Sequence, residues 1–359
     1  MNVTILDTII DELEDKEKAL LYGYRDERGA IALSFNKKDT LECTGVFFKD
    51  QDAHQLEDWK GNFIYSMNNG HLDCFYLSSD GSRKDVELET FNYVTDYASR
   101  NQGLVDPSDL QQKTVAIIGL GSGGSMIAQD LMRSGVTKLI LVDFDTVNIS
   151  NLCRSAYSLS DLGKKKTDAL YENLLRINPL AEIETYDIDV LKFDTVKLKE
   201  IIDSSDLIIE GTDTVKTKLL INGLAHDNTI VLYPSVYDFG KGGELLFTTP
   251  DTPCFECVFG SIVPEMLEVK KGDWDYGTGQ VKPMAGLVSD IRIVVSRTVK
   301  LALGFLSKGK DSFLDKITEV DCTLLLIGNE NNFFIFDKPF QEVWAETEIN
   351  PECICQTLC

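Results

Sequence analysis

The chain has 359 residues, nine of them cysteine, with 43% hydrophobic residues and a formal net charge of −23. Two domains with ordinary apolar cores are expected from that length and composition. An acidic surface with pI near 4.5 disfavours nucleic acid and anionic membrane as partners. No uninterrupted apolar run reaches the roughly 18 residues of a membrane-spanning helix, and the acidic N-terminus, MNVTILDTIIDELEDKEKALL, is unlike a signal peptide. A cytoplasmic protein is expected, in which clustered cysteines bind metal rather than form disulfides.

Residues 1–95 predict a short amphipathic helix followed by strand-like runs: GAIALSF, CTGVFF, NFIYSM, DCFYLSS and DVELETF. The turn signals NNG and SDGS separate some of them, giving a small α+β accessory or substrate-recognition domain. His54 and His71 lack metal-ligand spacing and read as surface or turn histidines. SRNQGLVDPSDLQQK is linker-like, and residues 96–359 form the second domain. From Thr114 the pattern becomes TVAIIGLG, SMIAQDLMRSG, KLILVD, with further buried-strand candidates DLIIEG and TIVLYPSV. That alternation predicts a Rossmann-like α/β fold with a mostly parallel sheet.

Gly119, Gly121 and Gly124 form G-x-G-x-x-G between an apolar strand and a helix. Such glycines permit a tight turn and close approach of backbone to phosphate, and the helix N-terminus favours an anion. Asp143 ends the next strand, about 20 residues on, where an acid commonly binds ribose hydroxyls. These features alone fit an NAD-binding oxidoreductase. Asn151, Arg154 and Lys166 go further, supplying an amide and two cations that suit a triphosphate and a departing pyrophosphate.

The set GLGSGG, SGV, LVDFDTVNISNLCR, LGKKKTDAL, RINP and DLIIEGTDT, continuing through GELLFTTPDTPCFEC to the tail NPECIC, resembles the ThiF, HesA and ubiquitin-activating superfamily of adenylating enzymes. The resemblance covers residues from about 97 to 359. It implies that Asp143 binds the ATP ribose and that Asn151 and Arg154 hold the triphosphate. Lys166 would contact phosphate and the developing acyl-adenylate, and Asp213 would organise Mg²⁺ and the attacking carboxylate. Arg100, in YASRNQ, is the counterpart of an arginine that reaches into the partner subunit's ATP site, which implies a homodimer.

Cys254 and Cys257 form C-x-x-C, and the tail adds Cys353, Cys355 and Cys359. Four thiolates from two distant pairs would make a closed zinc site. Relatives carry C-x-x-C in the tail where this chain has C-x-C, and Cys353 and Cys355 are favoured because Cys353 follows Asn-Pro. Cys43, Cys74 and Cys322 read as small buried hydrophobes, and Cys153 as a packing residue.

The function implied is ATP-dependent adenylation of the C-terminal carboxylate of a ubiquitin-like or sulfur-carrier protein, for conjugation or sulfur transfer, with a conjugating enzyme as a possible further partner. Alternatives are a peptide-adenylating enzyme of the microcin C-maturation type, the NAD oxidoreductase and a non-catalytic scaffold subunit. The segment after the first C-x-x-C contains no cysteine and no histidine. Its hydroxyls, Ser261, Thr278 and Ser289, lack an activating base there. The acyl-adenylate is therefore expected to pass to an external acceptor.

Overall fold

Alternation of side chains decides the first part of the chain. A computed structural model describes all residues other than 36, 38–40, 50–55, 69–70, 226, 265–273, 276–279, 282–284, 308–313, 321, 354 and 356–359. His54, Thr278 and Cys359 lie outside the described residues. Met1–Gln102 and Leu175–Leu180 cluster as one unit; Gly103–Leu174 and Ala181–Cys359 form a second.

The first unit comprises β1 (Asn2–Leu6), α1 (Asp7–Leu13), β2 (Lys18–Arg25), β3 (Gly29–Ser34), β4 (Glu42–Phe48), β5 (Asn62–Asn68), β6 (His71–Leu77), β7 (Arg83–Asp85) and β8 (Glu87–Phe91). Its sheet runs in the order β7-β6-β5-β4-β2-β3-β1-β8. On β4, Phe47 joins a core cluster with Val3, Ile5 and Leu21, while Val46 and Phe48 join Ile64, Phe75 and Leu77 in another. That is the period-two alternation of a strand buried on both faces. The acidic N-terminal stretch is strand, then helix, then strand. Val3 and Ile5 are fully buried on β1, which pairs in parallel with both β3 and β8. α1 buries only Ile9 and Leu13, one turn apart.

Residues 175–180 join this unit through tyrosines. The Tyr24 hydroxyl donates to the Leu175 carbonyl at 3.3 Å and the Tyr97 hydroxyl to that of Ile177 at 3.0 Å. The buried Asn178 amide donates to the Tyr93 hydroxyl at 2.8 Å. The Tyr93 and Tyr97 rings stack with centroids 4.7 Å apart.

The second unit opens with a one-turn helix, α2 (Pro107–Leu110), and continues β9 (Thr114–Ile118), α3 (Ser122–Ser134), β10 (Lys138–Val142), α4 (Lys166–Ile177), β11 (Glu182–Tyr186), α5 (Thr195–Asp203), β12 (Leu207–Glu210), α6 (Val215–Ala225) and β13 (Ile230–Tyr237). After these come β14 (Gly242–Thr248), α7 (Phe255–Phe259), the paired two-residue strands β15 (Trp274–Asp275) and β16 (Gln280–Val281), α8 (Val288–Leu306), β17 (Leu324–Gly328) and β18 (Gln341–Ala345). The main sheet has the order β11-β10-β9-β12-β13-β14-β17-β18. Its first five strands are parallel, and β14, β17 and β18 are joined antiparallel. The Rossmann-like, mostly parallel α/β arrangement expected from the sequence is present.

β9 is central, with β10 on one side and β12 on the other, so the strand order reverses there. Ligands of open α/β sheets bind beyond the carboxyl ends of strands at such a point. Gly119 follows β9, Asp143 follows β10 and Gly211 follows β12. Among the described residues, no helix is long and apolar enough to cross a membrane.

Candidate active site

The three glycines do different work. Gly119 has φ of +89°, and a Cβ there would lie 2.8 Å from the Gly211 carbonyl carbon and the Thr212 nitrogen. Only glycine fits that left-handed, crowded position. A Cβ on Gly124 would lie 1.9 Å from the Gly119 carbonyl oxygen, so this residue lets α3 start tight against the turn. A Cβ on Gly121 would meet no atom within 4 Å: its side of the turn faces open space at the helix N-terminus.

Asp143 sits beside this turn, buried. It accepts from the Leu120 backbone N–H at 2.7 Å and from the Asp145 N–H at 2.8 Å. Lys166, the first residue of α4, places Nζ 3.7 Å from Asp143 and 2.7 Å from Asp145. Burial pushes the Asp143 carboxyl above its ordinary value, against the pull of Lys166 and the two N–H groups. A buried ammonium held between two carboxylates is a cation whose position is fixed in advance, which electrostatic stabilisation of phosphate charge requires.

The loop from 144 to 165 is built onto the same frame. Thr146 and Lys165 pair as an antiparallel bridge. The Tyr157 hydroxyl donates to the Leu120 carbonyl at 2.7 Å, and Ala156 N–H donates to Ser125 Oγ at 3.1 Å, tying the loop to the glycine turn and to α3. Asp161 is fully buried and accepts from Ser158 N–H at 2.8 Å and from the Asn173 amide at 3.1 Å. Asn151 accepts the Asn148 N–H at 2.8 Å, which uses its oxygen and leaves its NH₂ as the end able to serve a phosphate oxygen. A Cβ on Gly286 would lie 4.0 Å from Arg154 Nη1 and 3.9 Å from the Gly240 nitrogen, so the guanidinium lies beside the turn at the end of β13. Asp213 is exposed in the turn after β12, next to the Thr212 that crowds Gly119.

The site thus gathers Gly119, Gly121, Gly124, Asp143 and Lys166 in direct contact or near contact, with Asn151, Arg154 and Asp213 on the flanking loops. Arg100 is exposed on a turn of the first unit. Sequence reasoning missed Asp145, Tyr157 and Asp161. Asp145 could have been found from its place two residues after Asp143; Tyr157 and Asp161 give no sequence signal beyond lying in the same loop.

Cys254, Cys257, Cys353 and Cys355 converge, with all four sulfurs within 4.8 Å of one another. Cys254–Cys353 is 3.5 Å, Cys257–Cys355 3.4 Å and Cys254–Cys257 3.7 Å. A tetrahedral thiolate site with metal–sulfur bonds of about 2.3 Å spaces its sulfurs about 3.8 Å apart, so the set fits a soft divalent cation. Burial pushes the Cys254 thiol up to about 11 against the pull of the hydrogen bonds it receives; a coordinated thiol is instead deprotonated outright. The Asn222 amide points to Cys254 Sγ at 3.6 Å and accepts Phe255 N–H at 2.8 Å, a contact not read from the sequence. Of the other cysteines, Cys74 is buried and Cys43 and Cys322 are half-buried. Cys153 is exposed, against the expectation of a packing residue.

The strand order and the glycine turn define a Rossmann-like α/β protein with an anion-ready crevice. The chain matches the ThiF family over residues 94–337 and belongs to that family. It is 30% identical over 172 residues to ubiquitin-like modifier-activating enzyme 5 of Caenorhabditis elegans, covering 45% of this chain and 41% of that protein. The Drosophila willistoni protein of the same name is 30% identical over 194 residues, covering 51% and 45%. The chain thus spans less than half the length of these two relatives. Among solved structures, Escherichia coli MccB with ATP superposes with a TM-score of 0.53 at 18% identity, covering 69% of this chain and 68% of that one. PaaA gives 0.51 at 22% identity, covering 70% of each. At such identities the likeness is one of fold.

Proposed function

We propose that this chain is an ATP-dependent adenylyltransferase that activates the C-terminal carboxylate of a ubiquitin-like or sulfur-carrier protein for conjugation or sulfur transfer. The observation that carries the reading is Lys166, buried and aimed between Asp143 and Asp145 beside the glycine turn. A dinucleotide needs charge neutralised at one pyrophosphate, which a helix N-terminus largely supplies, so a further fixed ammonium there favours a triphosphate.

In this reading Asp143 holds the ribose, and the α3 N-terminus with Asn151 and Arg154 holds the triphosphate. A carboxylate oxygen attacks the α-phosphorus, the bond from that phosphorus to the bridging oxygen breaks, and pyrophosphate leaves with the electron pair. Lys166 balances charge at the α-phosphate. Asp213 is the residue suited to Mg²⁺, which would neutralise phosphate charge. No protein nucleophile is needed; positioning and electrostatics suffice. The four cysteines would hold a structural Zn²⁺, and a reduced thiolate site of that kind suits the cytoplasm.

The relatives named above support a ubiquitin-like substrate, with a conjugating enzyme as a possible acceptor. The fold shared with MccB, a protein solved with ATP and with MccA, supports a second reading in which a peptide is adenylated. The test is exchange of labelled pyrophosphate into ATP with candidate small proteins and peptides encoded nearby. Exchange driven by one of them is expected. Binding of NAD in preference to ATP would reject both readings.

A further inference from the structure

Polar side chains, buried except for the half-buried Thr212, are spaced along α6 and the end of β12 between the glycine turn and the cysteine cluster. Glu210, at the end of β12, is fully buried, and Lys218 of α6 reaches its carboxylate at 2.6 Å. The other oxygen of Glu210 accepts from the Thr212 hydroxyl. Thr212 is the residue whose nitrogen and methyl crowd Gly119. One turn further along α6, Asn222 bonds Cys254 Sγ and the Phe255 N–H. Lys218 and Asn222 are four residues apart and so share one face of the helix, and both are buried.

This line is difficult to explain as stabilisation. Desolvating a Glu–Lys pair costs about as much as the pair returns, and apolar replacements are often neutral or better. The best-attested use of such a pair is to fix one arrangement of the elements it joins. Here it joins the end of β12 to α6. Asn222 fixes the same helix against the first C-x-x-C, in the manner of groups that orient metal ligands.

We propose that α6 is a strut coupling the cysteine cluster to the nucleotide turn, with Glu210, Lys218, Thr212 and Asn222 as positioning residues that set where Asp213 stands. The proposal rests on the zinc and ATP assignments made above and adds that the two sites share a coupling free energy. The Glu210–Lys218 pair holds the first half of α6 and Asn222 the second, so a ligand at either site should favour the arrangement the other needs.

The test uses the full chain, Zn²⁺ in competition with a chromophoric chelator, and Mg·ATP with no carboxylate substrate. Saturating Mg·ATP should raise zinc affinity about fivefold or more, the lower end of ordinary coupling between sites. Glu210→Gln combined with Lys218→Met should still bind both ligands but bring the factor close to one. Thr212→Val, which leaves the ion pair in place and breaks the line at its nucleotide end, should also lower it. Equal zinc affinity with and without ATP in the unaltered chain would overturn the strut while leaving adenylation standing. Undiminished coupling in the folded double variant would do the same, because it would trace the effect to global folding. If the double variant does not fold, undiminished coupling in Thr212→Val overturns the proposal. A chain that binds neither zinc nor ATP overturns this inference together with the reading beneath it.

Discussion

Lys166 and Asp213 are asked to do different things, and their surroundings say how each should fail. Lys166→Ala removes a cation fixed by two carboxylates, and Asp213→Ala removes an exposed acid. Each should lower pyrophosphate exchange by about 10²-fold or more, the scale of losing one preorganised electrostatic contact. Only Lys166→Ala should also lower stability, by about 1–3 kcal/mol, because Asp143 stays buried without its cation. Exchange assays with thermal melts on both variants check this. Asp161 gives a pH signature. Burial opposes its ionisation, yet Ser158 and the Asn173 amide hold its carboxyl below the ordinary 3.8. A carboxyl depressed in the folded state contributes stability above its unfolded value, and that contribution is lost as pH falls through the lower folded value. Melting temperatures of Asp161→Asn and the unaltered chain should therefore differ most above about pH 4 and converge in stronger acid.

At the level of elements, the tail meets the start of α7 at four sulfurs named by two sequence motifs. One zinc per chain is expected in protein purified without chelator. Cys355→Ser should lose it, and Cys359→Ser should keep it. Metal analysis of the two variants decides the fourth ligand. Removing the metal should lower stability, because a structural zinc site contributes folding energy directly. The segment after α7 supplies no thiol or imidazole, so incubation with ATP and substrate should leave no covalent adduct on the denatured chain; mass measurement checks this, and an adduct on the exposed Cys153 would contradict it. The glycine turn, the parallel strands and the C-x-x-C were legible because each has a short-range signature: a spacing, an apolar run, a pair. β1 was hidden, since NVTIL gains its strand identity from β3 and β8, which lie far along the chain. Lys218 and Asn222 look like a solvated helix face in sequence. Only the fold shows that this face is buried, on Glu210 at one point and Cys254 at the other.

For the molecule as a whole, the family reading gives Arg100 a role in a partner's site. Sedimentation should show a homodimer at micromolar concentration, and Arg100→Ala should reduce exchange without changing zinc content. A fully active monomer would remove Arg100 from the site. The first unit carries a different consequence. It is not continuous: Asn178 and the carbonyls of Leu175 and Ile177, which receive Tyr93, Tyr24 and Tyr97, are supplied from beyond the second unit's glycine turn. A ribosome adding about 5–20 residues per second takes on the order of ten seconds to pass from residue 102 to residue 180. Throughout that interval the nascent sheet has all eight strands but lacks its last partners, while β9, α3 and β10 emerge. Order of synthesis therefore cannot be order of completion. The glycine turn is synthesised before the unit that precedes it can close.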